Sequence, residues 1–138
     1  MGFRGPREDH LLQPTSVYVA DSGAQIAARV QHRYAGPDRA VIHCTSASQL
    51  LELLEPEDAV CIVADVELPG MEFLELLGRL RSLCAHAPVL CMAEDCAVST
   101  AVALMKAGAH DCIEKTGPVH RLVDKLIAFI EDAMERAV

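Results

Sequence analysis

Three charged residues of this sequence stand where carboxylates and an amine can act on a common ligand. Asp65 follows the apolar run 59–64 and precedes the turn 66–70, which ends in Pro-Gly. Asp21 and Lys115 each follow another strand-like run. A carboxylate at the carboxyl end of a buried parallel strand lies where open α/β sheets bind their ligands and react with them. Asp65 is therefore the first candidate for a reacting group, with Asp21 and Lys115 as its candidate partners.

The elements that must position these residues alternate between strand and helix. The predicted strands are 16–20, 39–44, 60–64, 87–92 and 109–114, and the predicted helices are 23–34, 46–54, 72–83, 97–107 and a segment that Pro118 opens. Five successive βα units predict a single doubly wound, flavodoxin-like α/β domain. Its parallel sheet has five strands in the order 2-1-3-4-5, and five helices cover both faces. In that order the carboxyl ends of the strands bring residues 21, 65 and 115 to one edge.

Length and composition limit what the chain can be. Its 138 residues suit one domain, and 51% of them are hydrophobic, which excludes a disordered chain. We expect a flexible tail at 1–14 and the domain at 15–138. No apolar stretch reaches the ~18 residues of a membrane span, so no membrane contact is expected, and the lack of a signal-like N-terminus predicts a cytoplasmic protein. A net charge of −8 argues against direct nucleic-acid binding.

The six cysteines lie mostly in apolar runs. Cys44, Cys61, Cys91 and Cys112 fall inside predicted strands, and no Cys-x-x-Cys spacing occurs. In a cytosolic protein such residues act mostly as small hydrophobes in the core. Cys61, Cys91 and Cys112 are nevertheless predicted on three adjacent strands, which leaves a redox-sensing role open for that set.

Four segments around the charged residues carry a more specific signal in combination. They are 17–21, 62–71, 88–90 and 103–111, the last of which leads to Lys115. With these segments the chain, over roughly residues 16–136, resembles the receiver domains of two-component response regulators. It looks most like the receivers that precede LuxR-type DNA-binding domains.

The resemblance implies that a sensor histidine kinase or a phosphotransfer protein passes a phosphoryl group from phosphohistidine to Asp65. Receivers hold Mg²⁺ with the phosphoacceptor, acids after the first strand and a backbone carbonyl two residues past the acceptor. Here these ligands are Asp65, Asp21 and the carbonyl of Glu67. Mg²⁺ suits such a site because it binds few protein ligands and keeps its waters. Lys115 is expected to pair with a phosphoryl oxygen or with the Asp65 carboxylate.

The chain departs from the receiver pattern at four positions. Ser22 replaces a second acid, which weakens the expected Mg²⁺ site. Ala93 replaces a Ser or Thr that hydrogen-bonds the phosphoryl group, and such a bond to a charged group is worth about 1.5–3 kcal/mol. Cys112 replaces the aromatic residue that turns inward with that hydroxyl, and Thr116 replaces the proline after the lysine. We therefore expect an impaired Mg²⁺ and switch site.

Two functions remain open on these residues. The first is a phosphorylation-controlled receiver with an impaired site, and the second is a phosphorylation-independent pseudo-receiver that serves as an interaction or dimerisation module. By resemblance, the helix that Pro118 opens and the helix that Gly108 ends form the surface for partners or for a homodimer. An enzyme is not expected, since no glycine-rich phosphate loop occurs and no catalytic triad can be assembled from the histidines.

Overall fold

The computed structural model describes residues 14–137, and within them five strands and five α-helices alternate along the chain, with one short 3-10 helix (Pro56–Asp58) before the third strand. The strands are β1 (Ser16–Ala20), β2 (Ala40–Cys44), β3 (Ala59–Asp65), β4 (Val89–Ala93) and β5 (Asp111–Glu114), and the helices are α1 (Gln25–Tyr34), α2 (Ala47–Leu53), α3 (Phe73–Leu83), α4 (Val98–Lys106) and α5 (Val119–Ala137). All five strands are parallel, in the order β2-β1-β3-β4-β5, which confirms the predicted fold and strand order. Of the tail predicted at 1–14, residues 1–13 lie outside the described part of the chain.

The sheet is buried on both faces because the side chains of each strand point alternately to two apolar layers. On β1, Tyr18 faces the layer that α2, α3 and α4 cover, whereas Val17 and Val19 face the layer that α1 and α5 cover. None of these three side chains is exposed to solvent. β1 and β3 are buried along their whole length, so the polar residues at their carboxyl ends start from fixed positions.

Helices α1, α3 and α5 each bury an apolar stripe against the sheet. α5 has 19 residues and buries Leu122, Leu126 and Ile130 at helical spacing. α2 begins after Ser46, whose hydroxyl accepts the Gln49 N–H over 3.1 Å, as serine at a helix cap predicts. Within residues 14–137, none of the helices combines the length and the apolarity that crossing a membrane requires.

Three strand boundaries differ from the prediction in a way that bears on the site. β4 ends at Ala93 and not at residue 92, so Ala93 belongs to the strand. β3 extends through Asp65, so its carboxylate belongs to the strand and not to the following loop. β5 begins at Asp111 and not at residue 109, because the Ala109 N–H donates to the Leu104 carbonyl over 3.0 Å and completes the end of α4. The site residue on β3 is consequently held by the sheet itself.

The left-handed backbone conformation of the turn after α4 can be tested by substitution. Gly108 has a φ of +118°, and a Cβ at this position would lie 2.6 Å from Cγ of Arg81. We expect Gly108→Ala to lower the free energy of unfolding by at least about 1 kcal/mol, because alanine is strained at positive φ. Urea denaturation followed by circular dichroism measures the change.

Gly78 supplies the matched control. It lies inside α3, and a Cβ at this position would meet nothing within 4 Å. Gly78→Ala should raise the free energy of unfolding by about 0.5–1 kcal/mol, because alanine is the better helix former. A Gly108→Ala protein that gains stability as the Gly78→Ala protein does would contradict the left-handed backbone at Gly108.

Candidate functional site

The side chains of Asp21, Asp65 and Lys115 meet at the carboxyl edge of the sheet. The Nζ atom of Lys115 lies 2.5 Å from Oδ2 of Asp65 and 3.5 Å from Oδ1 of Asp21. The two aspartates are only 5% and 6% exposed. Three residues that are far apart in the sequence thus come together where the strand order places them.

Backbone hydrogen bonds fix the starting point of each side chain. The Asp21 N–H donates to the Cys44 carbonyl over 2.9 Å, which joins the end of β1 to the end of β2. The Lys115 N–H donates to the Ala93 carbonyl over 2.7 Å, which holds the residue after β5 against the end of β4. Asp65 is the last residue of β3. The three side chains are therefore positioned by neighbouring strands and not by free loops.

Asp65 also shapes the turn that follows it. Its Oδ1 atom accepts the Glu67 N–H over 2.7 Å, and its backbone carbonyl accepts the Leu68 N–H over 3.0 Å. An aspartate commonly accepts a hydrogen bond from the backbone two residues further on. Each carboxylate oxygen of Asp65 therefore has a protein partner, with Glu67 on one and Lys115 on the other.

The cluster combines two carboxylates with one ammonium, so its formal charge is −1. Burial lowers the pKa of Lys115, but the hydrogen bond and the charge of Asp65, together with the charge of Asp21, outweigh burial and raise this pKa above its ordinary value of 10.5. Lys115 is consequently a cation at neutral pH. The remaining negative charge favours a further cation at this edge.

An open cavity of about 410 Å³ adjoins the cluster. Asp21 and Lys115 line it together with Ser22, Thr116 and Gly117. Water and small ligands can therefore reach the carboxylate of Asp21 and the ammonium of Lys115 from this side.

The donor set of the edge suits a hydrated magnesium ion. Mg²⁺ is usually bound by one or two carboxylates and keeps several waters. Asp21 and Asp65 supply two carboxylates, and the cavity leaves room for water beside Asp21. Within residues 14–137, no three His, Cys, Asp or Glu side chains form a group that could hold a metal ion. The residues present fit an ion that keeps its waters and do not fit a cage of protein ligands.

Three of the four positions that depart from the receiver pattern lie at this edge, and the fourth, Cys112, lies earlier in β5. Ser22 and Thr116 line the cavity and are exposed. Ala93 is the last residue of β4 and only 2% exposed, and Cys112 lies in β5 and is half-buried. Ala93 thus contributes a methyl group and no hydroxyl to the end of β4.

The three cysteines that the sequence placed on adjacent strands do not form one cluster. Cys61 packs on the face covered by α1 and α5, whereas Cys91 and Cys112 pack on the opposite face. The prediction that these cysteines lie on adjacent strands was correct. Side chains along a strand alternate between the two faces of the sheet, however, and Cys61 occupies a position that points to the other face. Cys96, which lies between the predicted strand 87–92 and the predicted helix 97–107, forms a disulfide with Cys112. Its only sequence signal was its place in the loop that follows β4, beside β5.

Comparison with known proteins agrees with this geometry. A family model described as the response regulator receiver domain matches residues 17–127. The transcriptional regulatory protein FixJ of Azorhizobium caulinodans is 37% identical over 99 residues, which are 72% of this chain and 47% of that protein. FixJ of Bradyrhizobium diazoefficiens is 32% identical over 121 residues, which are 88% of this chain and 57% of that protein. The chain thus spans about half the length of these relatives.

Solved receiver structures share the fold. A CheY-like receiver domain from Methanospirillum hungatei has a TM-score of 0.71 at 20% identity, and the match covers 90% of this chain and 99% of that one. The receiver domain of NtrX from Brucella abortus has a TM-score of 0.70 at 22% identity, with 86% and 98% covered. At such identities the likeness shows the architecture alone.

The charge cluster predicts the effect of removing its cation. Lys115→Met leaves two nearly buried carboxylates without their ammonium partner, so we expect the free energy of unfolding at pH 7 to fall by about 2–3 kcal/mol. Lys125→Met, at an exposed position of α5, is the control and should change it by less than about 0.5 kcal/mol. Urea denaturation measures both changes. Equal effects of the two substitutions would remove the support for a stabilising pair.

The pH dependence of the stability difference between the wild type and Lys115→Met is a separate test. The pKa of Lys115 is raised in the folded chain, so its contribution is fully present below the unfolded value of 10.5 and is lost as the pH rises through the folded value. The stability gap between the wild type and Lys115→Met should therefore hold between pH 7 and pH 9 and shrink at pH values above 10.5. A gap that instead widened in strongly alkaline solution would contradict the raised pKa.

Proposed function

Because the chain belongs to the response regulator receiver domain family, whose members are signalling modules of two-component systems and not enzymes, we propose that Asp65 accepts a phosphoryl group from a histidine kinase or a phosphotransfer protein. The observation that carries this proposal is the contact of Lys115 with Asp65 beside the buried Asp21. In the transfer, the bond between phosphorus and a histidine nitrogen of the donor breaks, and a bond between phosphorus and a carboxylate oxygen of Asp65 forms.

Lys115 and Glu67 prepare the carboxylate for this step. Phosphoryl transfer depends mainly on positioning and on neutralising charge. The Glu67 N–H holds Oδ1 of Asp65, and the Lys115 ammonium holds Oδ2. When negative charge arrives on the phosphoryl oxygens, the same ammonium can pair with one of them as a compact positive charge.

Asp21, Asp65 and the carbonyl of Glu67 would hold the Mg²⁺ that receiver domains typically bind. The ion supplies charge neutralisation where carboxylates and phosphoryl oxygens crowd together. Asp21 presents its carboxylate at the cavity, but Ser22 beside it adds no charge. The proposed Mg²⁺ site is therefore weak.

The proposed switch is impaired as well. Ala93 has no hydroxyl with which to bind a phosphoryl oxygen, and Cys112 cannot act as a mobile aromatic side chain. A phosphoryl group shifts a two-state domain only by the difference in its interactions with the two states. Without the hydroxyl at Ala93, the free energy available from phosphorylation at Asp65 is smaller.

A second candidate function is favoured by the same departures. A phosphorylation-independent pseudo-receiver would keep the fold and use its surface for protein contacts or dimerisation. Val98, Val102 and Met105 of α4 are large apolar residues exposed to solvent. Together with α5 they form the surface that we assign to partners or to a second copy of the chain.

The proposed output of the domain is transcriptional. Both FixJ relatives are transcriptional regulatory proteins and are about twice as long as the matched region. We infer that a LuxR-type DNA-binding domain receives the state of this receiver in the cytoplasm. The net charge of −8 argues against direct DNA binding by the receiver itself.

Chemical phosphorylation separates the two candidate functions. Incubation with acetyl phosphate and Mg²⁺ should add one hydroxylamine-labile phosphoryl group per chain at Asp65, whose carboxylate lies closer to the Lys115 ammonium than that of Asp21 does. Intact-mass and peptide mass spectrometry measure the label and its position. No label on the wild type, even at high phosphodonor concentration, would reject the phosphoacceptor role and leave the pseudo-receiver.

Two substitutions control this experiment. Asp65→Asn should carry no label, since an amide oxygen is a poor nucleophile. Asp124→Asn removes an exposed carboxylate of α5 that pairs with Arg33 and does not line the cavity, and this protein should be labelled as the wild type is. Label that persists in Asp65→Asn would assign the phosphoacceptor to another residue.

The impaired metal site yields a prediction of restored binding. Ser22→Asp should tighten Mg²⁺ binding on the order of tenfold, because the affinity of such sites rises with the number of carboxylate ligands. Titration of the protein with Mg²⁺ by isothermal calorimetry measures the change. Gln25→Glu adds the same charge to the wall of the same cavity and should have a much smaller effect. Equal effects of the two would point to general electrostatic attraction and not to a ligand at position 22.

A further inference from the structure

The start of α4 has few attachments to the rest of the molecule. Of the nine residues of α4, Leu104 is buried and lies in the second half of the helix. Val98, the first residue, is 80% exposed. Ala97, at the N-cap position, provides no side-chain hydrogen bond to the first turn. Packing and capping therefore do little to hold this end of the helix in place.

A covalent bond and a hydrogen bond connect this end of the helix to β5. Cys96, immediately before the N-cap residue, forms a disulfide with Cys112 of β5, and their Cα atoms are 6.9 Å apart. The Cys96 N–H also donates to Oε2 of Glu114 over 3.1 Å. Both connections start from the same residue, so the loop at Cys96 is the point at which α4 is fastened to the sheet.

Burial distinguishes this pair from the other cysteines of residues 14–137. Cys44, Cys61, Cys84 and Cys91 are buried free thiols, whereas Cys96 and Cys112 are only partly buried. Burial raises the pKa of both Cys61 and Cys91 to about 12, so these residues hold almost no thiolate at neutral pH. A dissolved thiol or disulfide can thus reach the Cys96–Cys112 pair and not the other four.

We propose that the Cys96–Cys112 disulfide is reversible and acts as a redox-controlled tether that fixes the start of α4 on β5. Oxidation by a small-molecule disulfide proceeds in two exchanges. A thiolate of one cysteine attacks a sulfur of the oxidant, which forms a mixed disulfide and releases one small thiol. The thiolate of the second cysteine then attacks the sulfur of the first and releases the second small thiol. The two protein thiols lose two protons and two electrons, and the electrons leave on the two small thiols.

The tether lies between the charge cluster and the exposed surface of α4. Cys112 of β5 precedes Lys115, the residue after that strand, by three positions, and Cys96 follows the end of β4 by three residues. The exposed apolar residues Val98, Val102 and Met105 begin two residues after Cys96. Reduction is therefore expected to free the amino end of α4 and to change how these apolar residues are presented, with no change in the strand order.

The test uses the whole chain and oxidised and reduced glutathione as the probe. The protein is equilibrated at a series of glutathione ratios, free thiols are trapped with an alkylating reagent after acid quench and denaturation, and peptides are mapped by mass spectrometry. The expected result is a peptide pair joined through Cys96 and Cys112 that appears and disappears reversibly with the ratio. If both residues stay alkylated at every ratio, or Cys112 pairs with Cys91 opposite it on β4, the proposal is overturned.

Hydrogen exchange tests the mechanical consequence independently of phosphorylation. On reduction, amide exchange in residues 96–102 should accelerate on the order of tenfold or more. The disulfide closes a loop between Cys96 and Cys112, and this closure restricts local unfolding at the start of α4. Exchange in β1 and β3 should not change. Equal amide exchange at 96–102 in the oxidised and reduced chains would show that the disulfide does not hold the start of α4 on β5.

Two substitutions make the exchange experiment specific. Cys96→Ser, in the loop, should exchange at 96–102 like the reduced wild type whatever the glutathione ratio. Cys91→Ala should keep the redox dependence, because Cys91 takes no part in the bond. A redox-dependent difference that survives in Cys96→Ser would assign the effect to another thiol and reject the tether. Failure of acetyl phosphate to label Asp65 would leave all of these outcomes unaffected.

Discussion

The pairing of Lys115 with two buried carboxylates is the constraint on which the carboxyl edge of the sheet depends. A carboxylate that is buried without a partner is costly, and Asp21 and Asp65 are both less than one-tenth exposed. Their ammonium comes from the residue after β5, two strands away from β3, so the cluster exists only while β3, β4 and β5 keep their order and register. The sheet fixes the cluster, and the cluster in turn opposes any slip of β5 along β4.

The parts of this structure that follow from periodicity and chain order were accessible from the sequence. The apolar runs gave the strands, topology rules gave their order, and that order brought the three charged residues to one edge. The parts that depend on which face of the sheet a side chain occupies, or on the path of a loop, could not be predicted from the sequence. Cys61 lies on the predicted strand, but its side chain packs on the face of the sheet opposite to Cys91 and Cys112. Side chains alternate between the two faces along a strand, so a shift of one residue changes the face. Cys96 lies in a loop that no periodicity describes, so its bond to Cys112 became apparent only in three dimensions.

The charge balance of the edge connects metal binding to phosphorylation. With Ser22 in place of a second acid, two carboxylates and one ammonium leave a single negative charge to attract a divalent ion. A phosphoryl group brings a further charge of about −1.5 to −2. On the proposed function, Mg²⁺ and the phosphoryl group therefore strengthen each other's binding at Asp65, and by linkage the two effects are equal. A site that is weak for Mg²⁺ alone is not for that reason weak in the phosphorylated state.

A charge at Asp65 affects a partner only if some element links the carboxyl edge to the surface. In the receiver pattern that link is a hydroxyl at the end of β4 and a mobile aromatic on β5, and this chain has Ala93 and Cys112 at those positions. The backbone bond from Lys115 to the Ala93 carbonyl still joins β5 to β4, but it exists whether or not a phosphoryl group is bound. The disulfide that we propose as a redox-controlled tether joins Cys96, three residues after Ala93, to Cys112 itself. Its state depends on electron transfer and not on phosphoryl occupancy, so the surface of α4 would respond to a different chemical input from the one that Asp65 receives.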